Sequence, residues 1–269
     1  MEKMSRQIGI TGQKGFVGKR LIEFLTLEKI PYIPYEGDLL NSKNSVKFFS
    51  KNDVQTIIHL AGTFNPPFKN LIKKNVNTTY SLLEEGRKHG LKKIIYASTA
   101  AVYGKPKKII STETDEPTPD TLYGISKLTA EKVIQYYRIT YGIEFVILRF
   151  STIYGDGNDK GVIYNISHDI VNNKQATIHG DGNQKRNFLH VDDACRAIIK
   201  SLYYRQSDIF NIASTKSISI NEVVNLYKKK YDFKVQYEVG DNNLKIMNID
   251  TRKAFEELKF KPLIKQIIL

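Results

Sequence analysis

The chain has 269 residues and a hydrophobic content of 41%, which suits a folded protein with a large buried core. Its single cysteine, Cys195, excludes an intramolecular disulfide framework, and no Cys/His cluster has metal-ligand spacing, so we expect no bound metal. The net charge of +13 is carried by lysines scattered along the chain, which favours a solvated basic surface over a nucleic-acid-binding strip.

Short apolar runs alternate with longer amphipathic segments through the first 150 residues. The runs have the length and residue types of buried strands, and the segments repeat apolar residues at helical spacing. The predicted strands are Gln7–Thr11, Tyr32–Tyr35, Thr56–Ala61, Lys93–Ser98 and Glu144–Phe150, and the predicted helices are 16–28, 42–51, 70–89 and Tyr123–Tyr141. Strict alternation indicates βαβ units, and therefore an α/β protein with a Rossmann-type, doubly wound parallel sheet.

The pattern becomes less regular after residue 151. Short predicted strands mix with helices. The strands are Thr177–His179 and Ile209–Ile212, and the helices are Val162–Asn172, Asp192–Tyr203 and Ile220–Tyr231. We expect this part to form a smaller mixed α/β substrate-binding lobe over the carboxyl edge of the sheet. The predicted division is a dinucleotide-binding domain over residues 1–155 and a lobe over residues 156–269, with some of the lobe's chain able to return to the sheet.

Three glycines, Gly12, Gly15 and Gly18, follow the first predicted strand and open the first helix. In that position Gly12 permits a tight turn, Gly15 lets backbone N–H groups approach a pyrophosphate, and Gly18 lets the helix pack closely on the strand. The N-terminus of the helix then presents the positive end of its dipole to the phosphates. The pattern predicts a dinucleotide site.

Two charged residues bear on the choice between NAD and NADP. Glu36 lies at the end of the second predicted strand, where an acid binds the adenosine ribose diol of NAD. Lys14, inside the glycine turn, could instead meet the 2′-phosphate of NADP. We expect NAD, with NADP as the alternative, and we place Asp38 and Leu39 beside the adenine.

Tyr123 and Lys127 begin the long predicted helix and share one of its faces, because residues four apart lie one above the other. A tyrosine titrates near pH 10, and a lysine ammonium one turn away is expected to lower that pKa towards neutral pH. Ser98 and Thr99 lie earlier in the chain, at the carboxyl edge of the fourth predicted strand, where a hydroxyl can bind a sugar oxygen. These side chains predict a proton-transfer site that needs no metal.

A series of ordered motifs resembles the extended short-chain dehydrogenase/reductases, the nucleotide-sugar epimerase/dehydratase/reductase family. The resemblance runs from about residue 7 to about residue 262, nearly the whole chain. The motifs are TGQKGFVG at 11–18, IIHLAG at 57–62, NVNT at 75–78, YASTAAVYG at 96–104, YGISK at 123–127, LRFSTIYG at 148–155 and HGDGNQKRNFLHVDD at 179–193.

The resemblance implies an NAD(P)-dependent enzyme that acts on a nucleotide-activated sugar and forms homodimers through its long helices. It assigns catalysis to Thr99, Tyr123 and Lys127, and substrate binding to Thr99, Thr152 and Arg186, the arginine gripping the diphosphate. Together, the resemblance and the residues around the glycine turn and the second strand predict a set of cofactor-binding residues: Gly12, Lys14, Gly15, Phe16, Val17, Gly18, Glu36, Asp38, Leu39, Leu60, Ala61, Gly62, Asn77, Tyr123 and Lys127.

Departures from the family pattern narrow the expected reaction. Family 4,6-dehydratases carry an Asp-Glu pair just after the catalytic threonine, and those positions here are Ala100 and Ala101. Because elimination of water needs an acid and a base on the sugar, we expect no dehydratase. Thr152 stands where the family has an asparagine, which alters one substrate contact.

We expect reduction of a 4-keto-6-deoxy sugar at carbon 4, because the short segment between Tyr35 and Thr56 resembles that of family members that reduce 4-keto sugars. The alternative is an NAD-dependent 4-epimerase, which would use the same three catalytic residues. A distant alternative is a non-catalytic regulator that binds a dinucleotide, although a regulator would need none of those three residues. A nucleic-acid partner has only the net charge in its favour.

The sequence also bears on the cellular compartment. No apolar run approaches the roughly 18 residues of a membrane span, and residues 1–12 lack the apolar core of a signal peptide. A free cysteine suits a reducing compartment. We therefore expect no membrane span and a cytoplasmic location.

Overall fold

The computed structural model describes residues 7–64, 67–105, 109–240 and 248–264. Strands and helices alternate in its first half, as the apolar periodicity predicts. They are β1 (Gln7–Thr11), α1 (Phe16–Leu27), β2 (Tyr32–Pro34), α2 (Ser42–Lys51), β3 (Val54–His59), α3 (Phe68–Leu71), α4 (Thr78–Lys88), β4 (Lys93–Thr99), α5 (Leu122–Tyr141) and β5 (Glu144–Phe150).

The second half contains shorter strands and four helices in its described part. They are β6 (Thr152–Tyr154), α6 (Val162–Asn173), β7 (Gln175–His179), β8 (Lys185–Arg186), β9 (Phe188–His190), α7 (Val191–Tyr203), β10 (Asp208–Ile212), β11 (Ile218–Ser219), α8 (Ile220–Lys228), β12 (Lys234–Glu238) and α9 (Arg252–Glu256). A π-helical turn, Ile72–Asn77, separates α3 from α4, and a 3₁₀ turn, Ala100–Tyr103, follows β4.

Six parallel strands form the main sheet in the order β10-β5-β4-β3-β1-β2. The chain passes outward from β1 to β2 and then returns to β3 on the other side of β1, so the direction of winding reverses between β1 and β3. Open α/β sheets bind ligands at such a switch point, beyond the carboxyl ends of the strands. The segments that follow Thr11 and His59 therefore border the expected site.

Helices cover both faces of the main sheet, and each face has its own apolar cluster. One cluster receives Leu21 and Leu25 from α1 and Ile198 from α7. The other receives Phe48 from α2 and Ile134 from α5. α7 and β10 follow residue 155 in the chain, yet both pack in or on the main sheet. The predicted class, a doubly wound α/β fold, is confirmed.

The smaller lobe has its own apolar cluster, built from α6, β7, α8 and β12. Ile166, Ile178 and Val223 are among its buried side chains. β7 pairs with β12 in parallel, and β8 pairs with β11 antiparallel, so the lobe is mixed α/β as expected. The lobe carries Arg186 on β8, which places that arginine beside the lobe's core.

Two predicted elements differ from the structure in ways that affect the site. The third strand is Val54–His59 rather than Thr56–Ala61, so residues 60–62 leave the sheet and form a loop. The predicted helix 70–89 consists of α3, the π-helical turn and α4, and its C-cap is His89. A π-helical turn is wider than an α-helical one and changes which side chains point inward.

The described residues contain neither a membrane-crossing helix nor a cluster of metal ligands. No helix among them is both long and apolar enough to cross a bilayer. No group of three His, Cys, Asp or Glu side chains in these segments is placed to hold a metal ion. Cys195 is buried on α7, as expected, and burial raises the pKa of its thiol to about 12.

Candidate active site

The glycine turn between β1 and α1 is folded so tightly that side chains would not fit. Gly12 has a φ of +76°, and a Cβ atom added there would lie 2.6 Å from the backbone nitrogen of Ala61. A Cβ atom on Gly18 would lie 2.1 Å from the carbonyl oxygen of Gly12. The turn is therefore pressed against both its own helix and the loop after β3, as the glycine pattern predicts.

The N-terminus of α1 can receive an anion. Gly15 is its N-cap residue and has no side chain to satisfy the first amides, and the first turn contains no acidic residue. Lys14 is exposed next to it, while Phe16 and Val17 pack partly against the apolar cluster of that face. Free amides and a positive dipole end suit the pyrophosphate of a dinucleotide.

The segment after β2 is tied to the glycine turn. The Gln13 side-chain amide donates to the Tyr35 carbonyl oxygen at 2.6 Å. Glu36 and Asp38 are exposed beyond this contact, where acids can meet a ribose or an adenine. Leu39 is instead buried in the apolar cluster of that face, so only a small fraction of it faces outward.

The loop after β3 meets the helix that carries the predicted catalytic pair. Leu60 and Ala61 follow the strand, and the Leu60 amide donates to the Thr11 carbonyl oxygen at 3.1 Å. A Cβ atom on Gly62 would lie 3.8 Å from the Lys127 ammonium nitrogen. The structure therefore brings the glycine turn, this loop and Lys127 together at the switch point of the sheet.

The asparagine of this region is Asn75 rather than the predicted Asn77. Asn77 is exposed on the π-helical turn, whereas Asn75 is buried and binds both backbone groups of Thr63 at 2.8 Å. The Asn75 amide also donates to the Ser126 hydroxyl at 2.9 Å, on the helix of the catalytic pair. Asn75 and Asn77 both lie on the π-helical turn Ile72–Asn77, and of the two Asn75 is the one that points inward.

Thr99 and Tyr123 face each other, as the sequence predicts. The Thr99 hydroxyl accepts the Ala101 amide at 3.2 Å, which leaves its own O–H able to donate. Burial raises the pKa of Tyr123 to about 12, and interaction with the Thr99 hydroxyl opposes this rise. The expected lowering of the tyrosine pKa is therefore wrong: burial is the largest influence on Tyr123 and raises its pKa, and the group that opposes the rise is Thr99 rather than Lys127.

Lys127 is a buried lysine, and the cost of burying its charge is only partly offset by neighbouring groups. It is 5% exposed, and its ammonium lies 4.1 Å from the centre of the Tyr96 ring. Burial lowers its pKa from 10.5 to about 7, and the charge of Glu131 opposes that shift. Lys127 is thus close to half-protonated at neutral pH, where a small change in surroundings can alter its charge.

Replacing Lys127 should change how stability depends on pH. Below pH 7 Lys127 is protonated both folded and unfolded, so the folded state bears the full cost of the buried charge. Between pH 7 and 10.5 the unfolded chain binds the extra proton, so wild-type stability rises by up to about 1.4 kcal/mol per pH unit from this group. Lys127→Met should lack that rise.

Urea unfolding of the cofactor-free protein at pH 6 and pH 9 measures the difference. Burial also lowers the pKa of Lys93, to about 8. Lys93 is present in both proteins, so its contribution to the pH dependence of stability cancels in the comparison. Equal gains in stability for wild type and Lys127→Met would show that the ammonium is not buried as described.

The substrate-lobe residues lie apart from the glycine turn. Thr152 begins β6 and is half-buried opposite Phe188. Arg186 lines a cavity of about 380 Å³ together with His179 and Gln184. Burial lowers the pKa of Arg186, and no described carboxylate pairs with its guanidinium. An unpaired, partly buried arginine in a cavity suits an anionic ligand.

Comparison with known proteins decides the family. A family model described as the NAD dependent epimerase/dehydratase family matches residues 8–213. The chain belongs to this family. It is therefore an enzyme of the NAD-dependent group that includes nucleotide-sugar epimerases and reductases, and the expectation of NAD as the cofactor is confirmed at the level of the family.

Individual relatives cover nearly the same length of chain. A UDP-glucose 4-epimerase of Lacticaseibacillus casei is 30% identical over 85% of this chain and 78% of its own. A dTDP-4-dehydro-6-deoxyglucose reductase of Escherichia coli is 28% identical over 98% of this chain and 95% of its own. The crystal structure of a UDP-glucose 4-epimerase from Thermotoga maritima with UDP-glucose matches with a TM-score of 0.90 at 25% identity, over 96% of this chain and 94% of that one.

Sequence reasoning missed three residues of the site. Asn75 belongs to a motif that was recognised, but only the π-helical turn shows that it points inward. Tyr96 supplies the ring under Lys127, and its position on a buried strand gave no sign of that contact. Phe64 lies edge-on to Tyr123, with ring centroids 6.5 Å apart, and no sequence pattern indicates this contact.

Proposed function

We propose that the protein is an NAD-dependent 4-epimerase of a nucleotide-activated hexose, with UDP-hexoses as the substrate class. Two observations support the proposal: the Thr99 hydroxyl interacts with Tyr123, and Lys127, one turn further along α5, lies next to the loop that contacts the glycine turn. The UDP-glucose 4-epimerases among the relatives favour epimerisation over the reduction of a 4-keto sugar that the sequence alone led us to expect.

Tyr123 carries the proton in this proposal. As phenolate it accepts the proton of the sugar 4-hydroxyl, and as phenol it returns a proton to the 4-keto oxygen. Thr99 donates a hydrogen bond to the same oxygen, and protonated Lys127 favours the phenolate. NAD would supply the acceptor and then the donor of the carbon-4 hydride when bound. One proton and one hydride leave and return, so no external reductant is consumed.

The cofactor fits the residues that surround the switch point. Backbone amides of the glycine turn would hold the pyrophosphate at the N-terminus of α1. Glycine is needed at positions 12 and 18 for this turn to form, because a Cβ atom on either residue would clash with backbone there. Glu36 would bind the adenosine ribose, and Lys127 the nicotinamide ribose. Ala100 and Ala101 offer no acid or base to the sugar, which argues against elimination of water.

Reduction of a 4-keto sugar is the second candidate, favoured by the Escherichia coli relative and by the short segment between β2 and β3. The two candidates differ in cofactor use. The purified protein is incubated with UDP-glucose, UDP-galactose and UDP-glucuronate in the presence of NAD⁺ and without a reduced cofactor, and the products are resolved by NMR. We expect each substrate to yield its C4 epimer. Consumption of added NADH or NADPH with a dTDP-4-keto-6-deoxy sugar, and no epimers, would assign the reductase.

Arg186→Gln should weaken binding of UDP by roughly 10- to 100-fold, because charge-assisted hydrogen bonds to phosphate contribute about 1.5–3 kcal/mol. Titration calorimetry with UDP measures this effect without turnover. Lys185→Gln, a change of the exposed neighbour on β8, is the matched control and should bind UDP as wild type does. Unchanged UDP affinity in Arg186→Gln would remove the arginine from the diphosphate site.

We propose that the expected homodimer forms through the outer faces of α4 and α5. Tyr80, Tyr136 and Ile139 are 53%, 54% and 85% exposed there. Large apolar side chains grouped on neighbouring helices are typical of a subunit contact. This surface leaves the switch point of the sheet open to ligands.

A further inference from the structure

A buried carboxylate lies directly behind the proposed catalytic residues. Glu131 is on α5, one helical turn after Lys127, and is 0% exposed. Arg149 on β5, 3% exposed, binds it with an Nη2–Oε2 distance of 2.7 Å. Replacing such a pair with apolar side chains often leaves stability unchanged or raises it, so stability alone does not explain why the pair is here.

The same carboxylate holds the end of β4. The Ser98 hydroxyl donates to Glu131 Oε1, and Ser98 directly precedes Thr99. Glu131 therefore joins the strand of Thr99 to the helix of Tyr123. A displacement of either element by about 1 Å would separate the hydroxyl from the phenol and could cost roughly 100-fold in rate.

The network extends beyond the carboxylate on the side away from Lys127. Arg149 Nη1 donates to the Tyr103 hydroxyl at 2.9 Å, and that hydroxyl donates to Asn211 Oδ1 at 2.8 Å. Tyr103 ends the 3₁₀ turn that begins just after Thr99. β4, its following turn, β5, α5 and β10 are thus fixed by one set of hydrogen bonds.

Glu131 also bears on the charge of Lys127. The titratable side chains that act on Lys127 or face it are Tyr96 on β4, His59 on β3, Tyr123 and Glu131 on α5, and Arg149 behind Glu131 on β5. Burial lowers the pKa of His59 to about 3 and raises the pKa of Tyr96, so both are neutral. Among the described residues, Glu131 is the carboxylate whose charge favours protonated Lys127.

We propose that Glu131 is a positioning residue for the reaction: through Ser98 it sets Thr99 against Tyr123, and its negative charge favours the protonated form of Lys127. The kinetic part of this inference rests on the proposed function. The part that concerns Lys127 does not, because it can be measured on the protein without substrate.

The first test follows Lys127 directly, by NMR of ¹³C-labelled lysine ε-carbons in the NAD-free protein, with Lys127→Met identifying its signal. We expect a titration midpoint near 7 in the wild type and a fall of at least about 1 pH unit in Glu131→Gln. Glu131→Asp keeps the charge and should stay within a few tenths of the wild type, as should Ser98→Ala. An unchanged midpoint in Glu131→Gln, or in Glu131→Gln/Arg149→Met where the single variant does not fold, would overturn the proposal, whatever the enzyme turns over.

The second test measures turnover in the epimerase assay. Glu131→Gln leaves Arg149 without its partner and could fail to fold, so the decisive variant is Glu131→Gln/Arg149→Met, which removes both charges. We expect kcat to fall roughly 10- to 100-fold in this variant and in Ser98→Ala, with KM for the nucleotide sugar little changed. A double variant that folds and keeps the wild-type kcat would show that the pair is only structural. Absence of turnover in the wild type itself would contradict the proposed function, and the NMR titration would then decide whether Glu131 controls the charge of Lys127.

Discussion

Tyr123→Phe should bind NAD as tightly as the wild type and lose turnover by roughly 10²- to 10⁴-fold, the contribution expected of a positioned acid–base group. The substitution removes one oxygen from a side chain held against Phe64 and Thr99, and it leaves the ring in place. Because the phenol oxygen carries the proton in the proposed reaction, its removal affects the chemical step rather than binding.

Steady-state rates and NAD titrations on purified variants separate the two quantities. Tyr203→Phe is the matched control, because Tyr203 is 57% exposed at the end of α7, far from the proposed chemistry in the chain. It should retain wild-type turnover. A Tyr123→Phe protein with more than about one tenth of wild-type turnover would mean that another group transfers the proton.

Gly18→Ala should weaken NAD binding by roughly 10- to 100-fold. The added Cβ atom would lie 2.1 Å from the Gly12 carbonyl oxygen and 2.7 Å from Gln13 Cα. Both are backbone atoms, so the turn itself must open. Overpacking of this kind costs about 1–3 kcal/mol, and each 1.4 kcal/mol corresponds to a tenfold loss of affinity. The open turn no longer presents its amides to a pyrophosphate.

A general loss of stability could imitate this result, and Gly90→Ala controls for it. Gly90 has a φ of +85° and nothing within 4 Å of an added Cβ atom, so alanine there strains the backbone without a clash. It should lower the melting temperature yet bind NAD normally. If Gly18→Ala binds NAD as well as Gly90→Ala does, the glycine turn is not the pyrophosphate site.

The sequence was most informative where structure is local. Apolar runs and helical periodicity predicted the alternation of strands and helices because each signal lies within one short segment. The glycine turn was predictable for the same reason, since its spacing alone demands close backbone approach at Gly12 and Gly18. The pairing of β10 with β5 could only be anticipated in general terms, because it joins segments some 60 residues apart in the chain.

The parts of the site that were wrong or missed depend on tertiary packing. Asn75 and Asn77 lie on the same π-helical turn, and no sequence signature shows which of the two points inward. The pKa of Tyr123 rises rather than falls because the phenol is buried, and spacing on a helix does not reveal burial. The Ser98–Glu131–Arg149 cluster joins three elements and appears only when the sheet and α5 are assembled.

The choice between epimerase and reductase could not be made from these residues, because both reactions use the same phenol, hydroxyl and ammonium. The choice turns on whether the hydride that leaves carbon 4 returns to the same sugar. The relatives favour that cycle. An isotope at carbon 4 reports on it without reference to any relative.

The most direct measurement therefore uses UDP-galactose that carries deuterium at carbon 4, incubated with the purified protein and NAD⁺ but without a reduced cofactor. NMR and mass spectrometry of the UDP-glucose formed locate the label. Our account predicts that the deuterium remains on carbon 4 of the product, with its configuration reversed, and that none reaches water. Loss of the label to solvent, or no UDP-glucose until an external reductant is added, would contradict it.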